Sequence, residues 1–123
     1  MARAILIIED DNFLQGLEAK KMKKEGYDVY TAGNSVEAFR IIDKKIKIDM
    51  ILLDLMLPDV DGFEILRKIR ATPEISSTPV IVFSNLSEEK DIEKAKELGI
   101  SEFMVKSNFT LDQLADEVKA ILG

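Results

Sequence analysis

The sequence contains no cysteine and no histidine among its 123 residues. Without cysteine, the chain can form neither a disulfide scaffold nor a thiolate metal site or nucleophile. Without histidine, no imidazole of this chain can serve as a general base, a metal ligand or a phosphoryl carrier. Any chemistry must therefore use carboxylates, lysines and hydroxyl groups.

Long apolar runs and an excess of positive charge are also missing. No stretch approaches the roughly 20 apolar residues that span a bilayer, and residues 1–8 are too short for a signal peptide. The 17 basic residues stand against 23 acidic ones, which gives a formal net charge of −6 and argues against direct nucleic-acid binding. We expect one cytoplasmic domain over residues 1–123, with no membrane partner.

Short apolar runs alternate with longer segments whose apolar residues recur at helical spacing, which is typical of βα units. The strands are predicted at residues 4–8, 27–32, 50–53, 80–83 and 103–105. The helices are predicted at residues 13–24, 35–44, 63–70, 88–98 and 110–122. Asn34 and Ser87 are predicted N-caps, while Gly26 and Gly99 stand where glycines end helices.

Five strand–helix units with right-handed crossovers predict an α/β fold, a flavodoxin-like doubly wound parallel sheet covered by five helices. Residue patterning alone leaves the strand order open. A closed eight-unit barrel needs about twice this length, and the glycine-rich dinucleotide fingerprint is missing after the first strand. Because ligands bind at the carboxyl ends of such strands, a functional site is expected there.

Polar side chains follow four of the predicted strands: Glu9, Asp10, Asp54, Ser84 and Lys106. Taken singly, acids at strand ends commonly cap the next helix, a serine forms turns and a lysine is solvated. Asp54 is different because apolar residues flank it on both sides in "MILLDLML". A buried carboxylate without a partner is costly, so the set together predicts one shared pocket.

Three close carboxylates repel one another unless a cation lies among them. Mg²⁺ takes oxygen ligands and keeps several waters. Asp10, Asp54, a backbone carbonyl just after Asp54 and waters held by Glu9 would form its shell. Between Mg²⁺ and the Lys106 ammonium, an ionised Asp54 can attack an electrophile while Ser84 donates a hydrogen bond. The residues thus predict a positioned carboxylate nucleophile for phosphoryl transfer.

These motifs resemble the receiver domain of two-component response regulators, the family that includes the chemotaxis response regulators. The matching segments are "ILIIEDD", "DLMLPDVDG", "PVIVFS" and "EFMVK", in family order, and the resemblance extends over residues 3–122. It implies the strand order 2-1-3-4-5 and phosphorylation at Asp54. The other implied roles are Mg²⁺ binding by Glu9, Asp10, Asp54 and the Met56 carbonyl, phosphoryl contacts by Ser84 and Lys106, and a switch formed by Ser84 and Phe103.

The resemblance also implies the partners. A histidine kinase or histidine phosphotransfer protein would donate the phosphoryl group, which this histidine-free chain can accept but cannot carry on an imidazole. The surface of the fourth helix, fifth strand and fifth helix would bind a second copy or an output domain. We expect a signalling domain rather than an enzyme, catalysing only its own phosphorylation and slow dephosphorylation.

Three positions, Ser107, Met56 and Leu86, bear on the local geometry and on hydrolysis. Ser107 stands where the family usually has proline after the lysine, which leaves the peptide geometry at that point open. Met56 and Leu86 occupy two positions that tune hydrolysis in the family. Since both are apolar, neither can orient an attacking water, and we expect slow hydrolysis of the aspartyl phosphate.

Two other functions are compatible with parts of this pattern. A hydrolytic or phosphomutase-type enzyme also uses an aspartyl nucleophile, but it usually places a second acid two residues later, where this chain has Met56. A receiver-like interaction module that no longer takes phosphate is the other alternative. The chain ends at Gly123, directly after the last predicted helix, which fits either a stand-alone receiver or a piece of a longer regulator.

Overall fold

The computed structural model describes residues 2–123, in which strands and helices alternate. The strands are β1 Ala4–Ile8, β2 Asp28–Ala32, β3 Met50–Leu53, β4 Val80–Ser84 and β5 Glu102–Val105. The helices are α1 Asn12–Lys24, α2 Ser35–Asp43, α3 Gly62–Ala71, α4 Glu89–Glu97 and α5 Leu111–Leu122. Each predicted element is confirmed, with its ends within one residue of the prediction. Two short 3₁₀ turns, Pro73–Ile75 and Lys106–Asn108, were not predicted.

The five strands form one parallel sheet in the order β2-β1-β3-β4-β5, so the flavodoxin-like fold is confirmed. β1, β3 and β4 are buried along their whole length, whereas β2 and β5 form the exposed edges. Alternate residues of each strand point to opposite faces. One face packs with α1 and α5, and the other packs with α2, α3 and α4.

Side-chain caps begin four of the five α-helices in the described part of the chain. They are Asp11 for α1, Asn34 for α2, Asp61 for α3 and Thr110 for α5. The prediction of Ser87 as a cap was wrong, because α4 begins one residue later, after Glu88, whose side chain makes no capping bond. The helix-ending role of Gly26 and Gly99 is confirmed by their φ angles of 97° and 80°, which favour glycine.

The loop from β3 to α3 is folded back on itself. Met56 and Asp61 form an isolated antiparallel bridge, and the Gly62 N–H donates to the Leu55 carbonyl at 3.1 Å. Asp59 accepts from the Ser35 N–H at 3.0 Å and from the Ser35 hydroxyl at 2.5 Å. The loop is thereby fixed to the first turn of α2.

The chain continues from β5 into α5 through the 3₁₀ turn Lys106–Asn108. No peptide bond among residues 2–123 is cis, so the Lys106–Ser107 peptide, whose geometry the sequence left open, is trans. Within the same residues, no helix combines the length and the hydropathy needed to cross a membrane.

The tight contact of Gly62 with Leu55 gives the first prediction. A Cβ at residue 62 would lie 2.5 Å from the Leu55 carbonyl oxygen and still closer to its Cα, and the backbone cannot yield easily. We expect Gly62→Ala to lower the free energy of unfolding by about 2 kcal/mol or more, measured by urea denaturation.

Gly16 offers a matched control on the exposed side of α1, where an added Cβ meets nothing within 4 Å. Gly16→Ala is expected to raise the free energy of unfolding by about 0.5–1 kcal/mol, because alanine favours the helix. Equal effects of the two substitutions would contradict the close approach at Gly62.

Candidate functional site

Asp54 follows β3 directly and is only 4% exposed. Its Oδ1 accepts hydrogen bonds from the Ser84 hydroxyl at 2.8 Å and from the Met56 N–H at 3.0 Å. Its Oδ2 accepts from the Lys106 ammonium at 2.7 Å. The carboxylate at the end of the apolar strand is therefore compensated by one cation and two neutral donors.

Lys106 joins two buried acids. Its ammonium lies 2.7 Å from Asp54 Oδ2 and 2.7 Å from Glu9 Oε1. Burial alone would lower the pKa of Lys106, but its hydrogen bonds to the two carboxylates outweigh burial and the pKa is raised. The side chain therefore remains a cation at neutral pH.

Glu9 directly follows β1 and is 2% exposed. Burial raises the pKa of its carboxyl, with Asp54 adding in the same direction, while hydrogen bonds from Lys106 and from the Asp11 N–H oppose the shift. The backbone carbonyl of Glu9 accepts from the Gln15 side chain at 2.9 Å, so α1 also fixes this end of β1.

The carboxylates of Glu9, Asp10 and Asp54 come together as predicted. One oxygen from each lies within 4.8 Å of the others. Glu9 and Asp54 are buried, whereas Asp10 is exposed and lines an open depression with residues 55–61. Hard oxygen donors around an open position fit a Mg²⁺ ion. Met56, whose carbonyl was the expected fourth protein ligand, lies in this depression.

Three further family positions, Phe103, Met56 and Leu86, differ in their surroundings. Phe103 is buried and faces Val82 across the β4–β5 pair, within the core under α2, α3 and α4. The side chain of Met56 is 53% exposed at the edge of the depression. Leu86 is half-buried, and its N–H lies 3.4 Å from the Ser84 hydroxyl oxygen. The roles of these residues in switching and hydrolysis stay predictions.

Sequence reasoning missed two α1 residues near this site, Gln15 and Glu18, which follow the N-cap Asp11. Asp11 caps α1 by accepting from the Phe13 and Leu14 N–H groups, and Gln15 holds the Glu9 carbonyl. Glu18 is buried beside Ala19 and Met22. Helical spacing places residues 15, 18, 19 and 22 on one face of α1. The polar residues Gln15 and Glu18, on a face that also carries Ala19 and Met22, were the sequence signal for this role.

Comparisons with known proteins agree with this geometry. The response regulator receiver domain model matches residues 5–119. The chain is 34% identical over 122 residues to the sporulation initiation phosphotransferase F of Bacillus subtilis (strain 168), covering 99% of this chain and 95% of that protein.

Two solved structures with a similar fold are each 29% identical to this chain. A two-component response regulator from Clostridium difficile has a TM-score of 0.88 at 29% identity, covering 98% of this chain and 95% of that one. The receiver domain of a signal transduction histidine kinase from Syntrophus aciditrophicus has a TM-score of 0.86 at 29% identity, with 98% and 90% covered. The matched segment, the strand order and the relatives together show that this chain belongs to the response regulator receiver domain family of two-component systems.

Proposed function

We propose that this receiver domain accepts a phosphoryl group on Asp54 in a Mg²⁺-dependent reaction. The observation that carries the proposal is the environment of the Asp54 carboxylate. It lies at the end of a central strand, holds hydrogen bonds from Ser84 and Lys106, and has two further carboxylates close enough to share a metal ion.

The donor is a phosphohistidine of a kinase or phosphotransfer protein. An Asp54 carboxylate oxygen attacks phosphorus and the P–N bond breaks, with its electron pair going to the donor nitrogen. The second ring nitrogen of the donor carries a proton beforehand, so the ring leaves as neutral imidazole. Both Asp54 oxygens already hold donors, so Ser84 and Lys106 must pass from the carboxylate to the phosphoryl oxygens during transfer. These two side chains then stabilise the charge that develops on the phosphoryl group.

The charge balance of the pocket explains the need for a metal. Three carboxylates face a single ammonium, and a phosphoryl group adds about 1.5–2 negative charges. When bound, Mg²⁺ supplies the compensating charge and orients the phosphoryl oxygens. Glu9, Asp10, Asp54 and the Met56 carbonyl are the residues that would hold it. Glu9 is itself held by Lys106 and the Asp11 N–H.

The output follows from the position of Ser84 before α4. If the Ser84 hydroxyl moves toward the phosphoryl group, its contact with the Leu86 N–H changes, and the segment leading into α4 follows. α4 has no side-chain cap and buries only Ala95, so little resists its displacement. Phe103 already packs in the core beneath this helix. Phosphorylation would thus change the populations of two conformations of the α4, β5 and α5 surface. This surface would bind a second copy or an output domain.

A cytoplasmic location and a relay role belong to the same proposal. The relative from Bacillus subtilis is named a phosphotransferase, which makes onward transfer of the group to another protein a natural refinement here. An independent hydrolytic enzyme is less well supported, because the exposed Met56 cannot serve as the second acid that such enzymes use. The chain would catalyse only its own phosphorylation and slow dephosphorylation.

The phosphoacceptor role predicts covalent labelling at one residue. With Mg²⁺ and a small phosphodonor such as acetyl phosphate, the wild type should gain one phosphoryl group by intact-protein mass spectrometry. Asp54→Asn should abolish the gain, since an amide is a poor nucleophile. Asp28→Asn, which removes an exposed acid at the opposite end of the sheet, should leave it unchanged. An undiminished label in Asp54→Asn would exclude Asp54 as the acceptor.

The apolar pair at the hydrolysis positions predicts a long-lived phosphoprotein. We expect the aspartyl phosphate to persist for minutes or longer, and Met56→Asn to shorten its half-life several-fold by holding a water near phosphorus. Decay is followed by loss of the phosphorylated mass after the donor is removed. Leu17→Asn also replaces an apolar residue by asparagine, at an exposed α1 position, and serves as the control. A wild-type half-life of seconds, or no effect of Met56→Asn, would contradict the role given to Met56.

A further inference from the structure

Glu18 is a buried carboxyl group for which the proposed transfer reaction has no use. Its side chain is 2% exposed and lies in the apolar layer between α1 and the sheet. Its Oε1 has no hydrogen-bond partner among the described residues. Buried polar atoms are rarely left unpaired, so an acid at this position needs an explanation.

Glu18 lies on the face of α1 that is near the acidic cluster. Gln15 lies one turn earlier on the same face of α1 and holds the Glu9 backbone carbonyl, so this face of the helix adjoins the end of β1. The charged groups that shift the pKa of Glu18 are Glu9 after β1, Lys106 after β5, Asp54 after β3 and Asp11 at the α1 cap. From α5, Asp112 pairs with Lys21 of α1. Glu18 itself forms no ion pair among the described residues.

These surroundings favour the neutral acid. Burial raises the pKa of Glu18 to about 8, with the negative charge of Glu9 adding to the shift and Lys106 opposing it. At neutral pH the side chain therefore holds its proton, and three carboxylates rather than four share the single ammonium of the pocket.

We propose that Glu18 exchanges its proton with solvent in response to the charge of the site, and that it releases this proton when a divalent cation binds to Glu9, Asp10 and Asp54. This inference rests on the metal binding that belongs to the proposed function. Glu18 would not contact the ion. Its ionisation would add one negative charge near the cluster when the cation adds positive charge there.

The coupling follows from electrostatic linkage. A divalent cation near Glu9 reverses the local potential and favours the ionised form of Glu18. Since binding then releases a proton, the affinity for the cation must rise with pH while the metal-free Glu18 is still protonated. The chain would therefore bind Mg²⁺ more tightly on the alkaline side of neutrality than its direct ligands alone would require.

The test measures protons released per Mg²⁺ bound. Calorimetric titrations with MgCl₂ at pH 7, in buffers of different ionisation enthalpy, give this number for the wild type and for Glu18→Gln. Glutamine keeps the size of the side chain and removes its titration. We expect the wild type to release at least about half a proton more than Glu18→Gln, with Asp28→Asn behaving like the wild type.

The outcomes separate the inference from the proposed function. If Mg²⁺ does not bind to the wild type at all, the metal-dependent function fails, and the inference fails with it. If Mg²⁺ binds but the wild type and Glu18→Gln release equal numbers of protons, only the role of Glu18 is overturned. Should Glu18→Gln fold poorly, ¹³C NMR of the wild-type Glu18 carboxyl with and without Mg²⁺ replaces it. If the pH midpoint of the Glu18 carboxyl titration does not decrease when Mg²⁺ is added, the inference is overturned.

A metal-free measurement tests the buried proton itself. The ordinary pKa of a glutamate is 4.5 and that of folded Glu18 is about 8, so between these values the folded state binds more protons than the unfolded state. The stability due to the neutral acid is present below pH 4.5 and is lost as pH rises through 8. Urea denaturation should therefore show wild-type stability falling relative to Glu18→Gln between pH 5 and pH 8. Parallel curves would overturn the inference.

Discussion

The contact on which the site depends is that of the Lys106 ammonium with two buried carboxylates. Glu9 and Asp54 directly follow neighbouring central strands and are buried, so water cannot compensate their charge. Lys106 reaches both from the far side of β4, at 2.7 Å in each case. Removing one partner of a buried pair leaves the other charge uncompensated. The position of the lysine after an edge strand is therefore as important to the pocket as the acids themselves.

The fold supplies this arrangement through the geometry of a parallel sheet. β1, β3 and β4 are apolar on both faces because helices cover both faces of the sheet. Polar groups can therefore be placed only where these strands end. Parallel strands bring all their carboxyl ends to one edge of the sheet. Residues 9, 54, 84 and 106, although far apart in sequence, consequently meet in one pocket whose walls are held by α1, the β3–α3 loop and the turn after β5.

Much of this could be predicted from the sequence, since each strand is a short apolar run and each helix has a clear period. The acids, Ser84 and Lys106 were identifiable because charged residues directly after such runs need partners. The predicted N-cap of α4 was wrong. Ser87 and Glu88 are both plausible N-caps by sequence, and only the packing of the helix decides between them. Glu18 was missed because a carboxylate on an otherwise apolar helix face reads as an exposed residue until the neighbouring elements are in place.

The attachment of Asp59 to Ser35 links the pocket to a helix that contributes no group to it. Because these hydrogen bonds join the two segments, loosening of the first turn of α2 would also release the β3–α3 loop. Substitutions in α2 would thus affect the position of the Met56 carbonyl without altering any residue of the pocket. Two receivers with identical pocket residues can therefore differ in how long that carbonyl stays aligned.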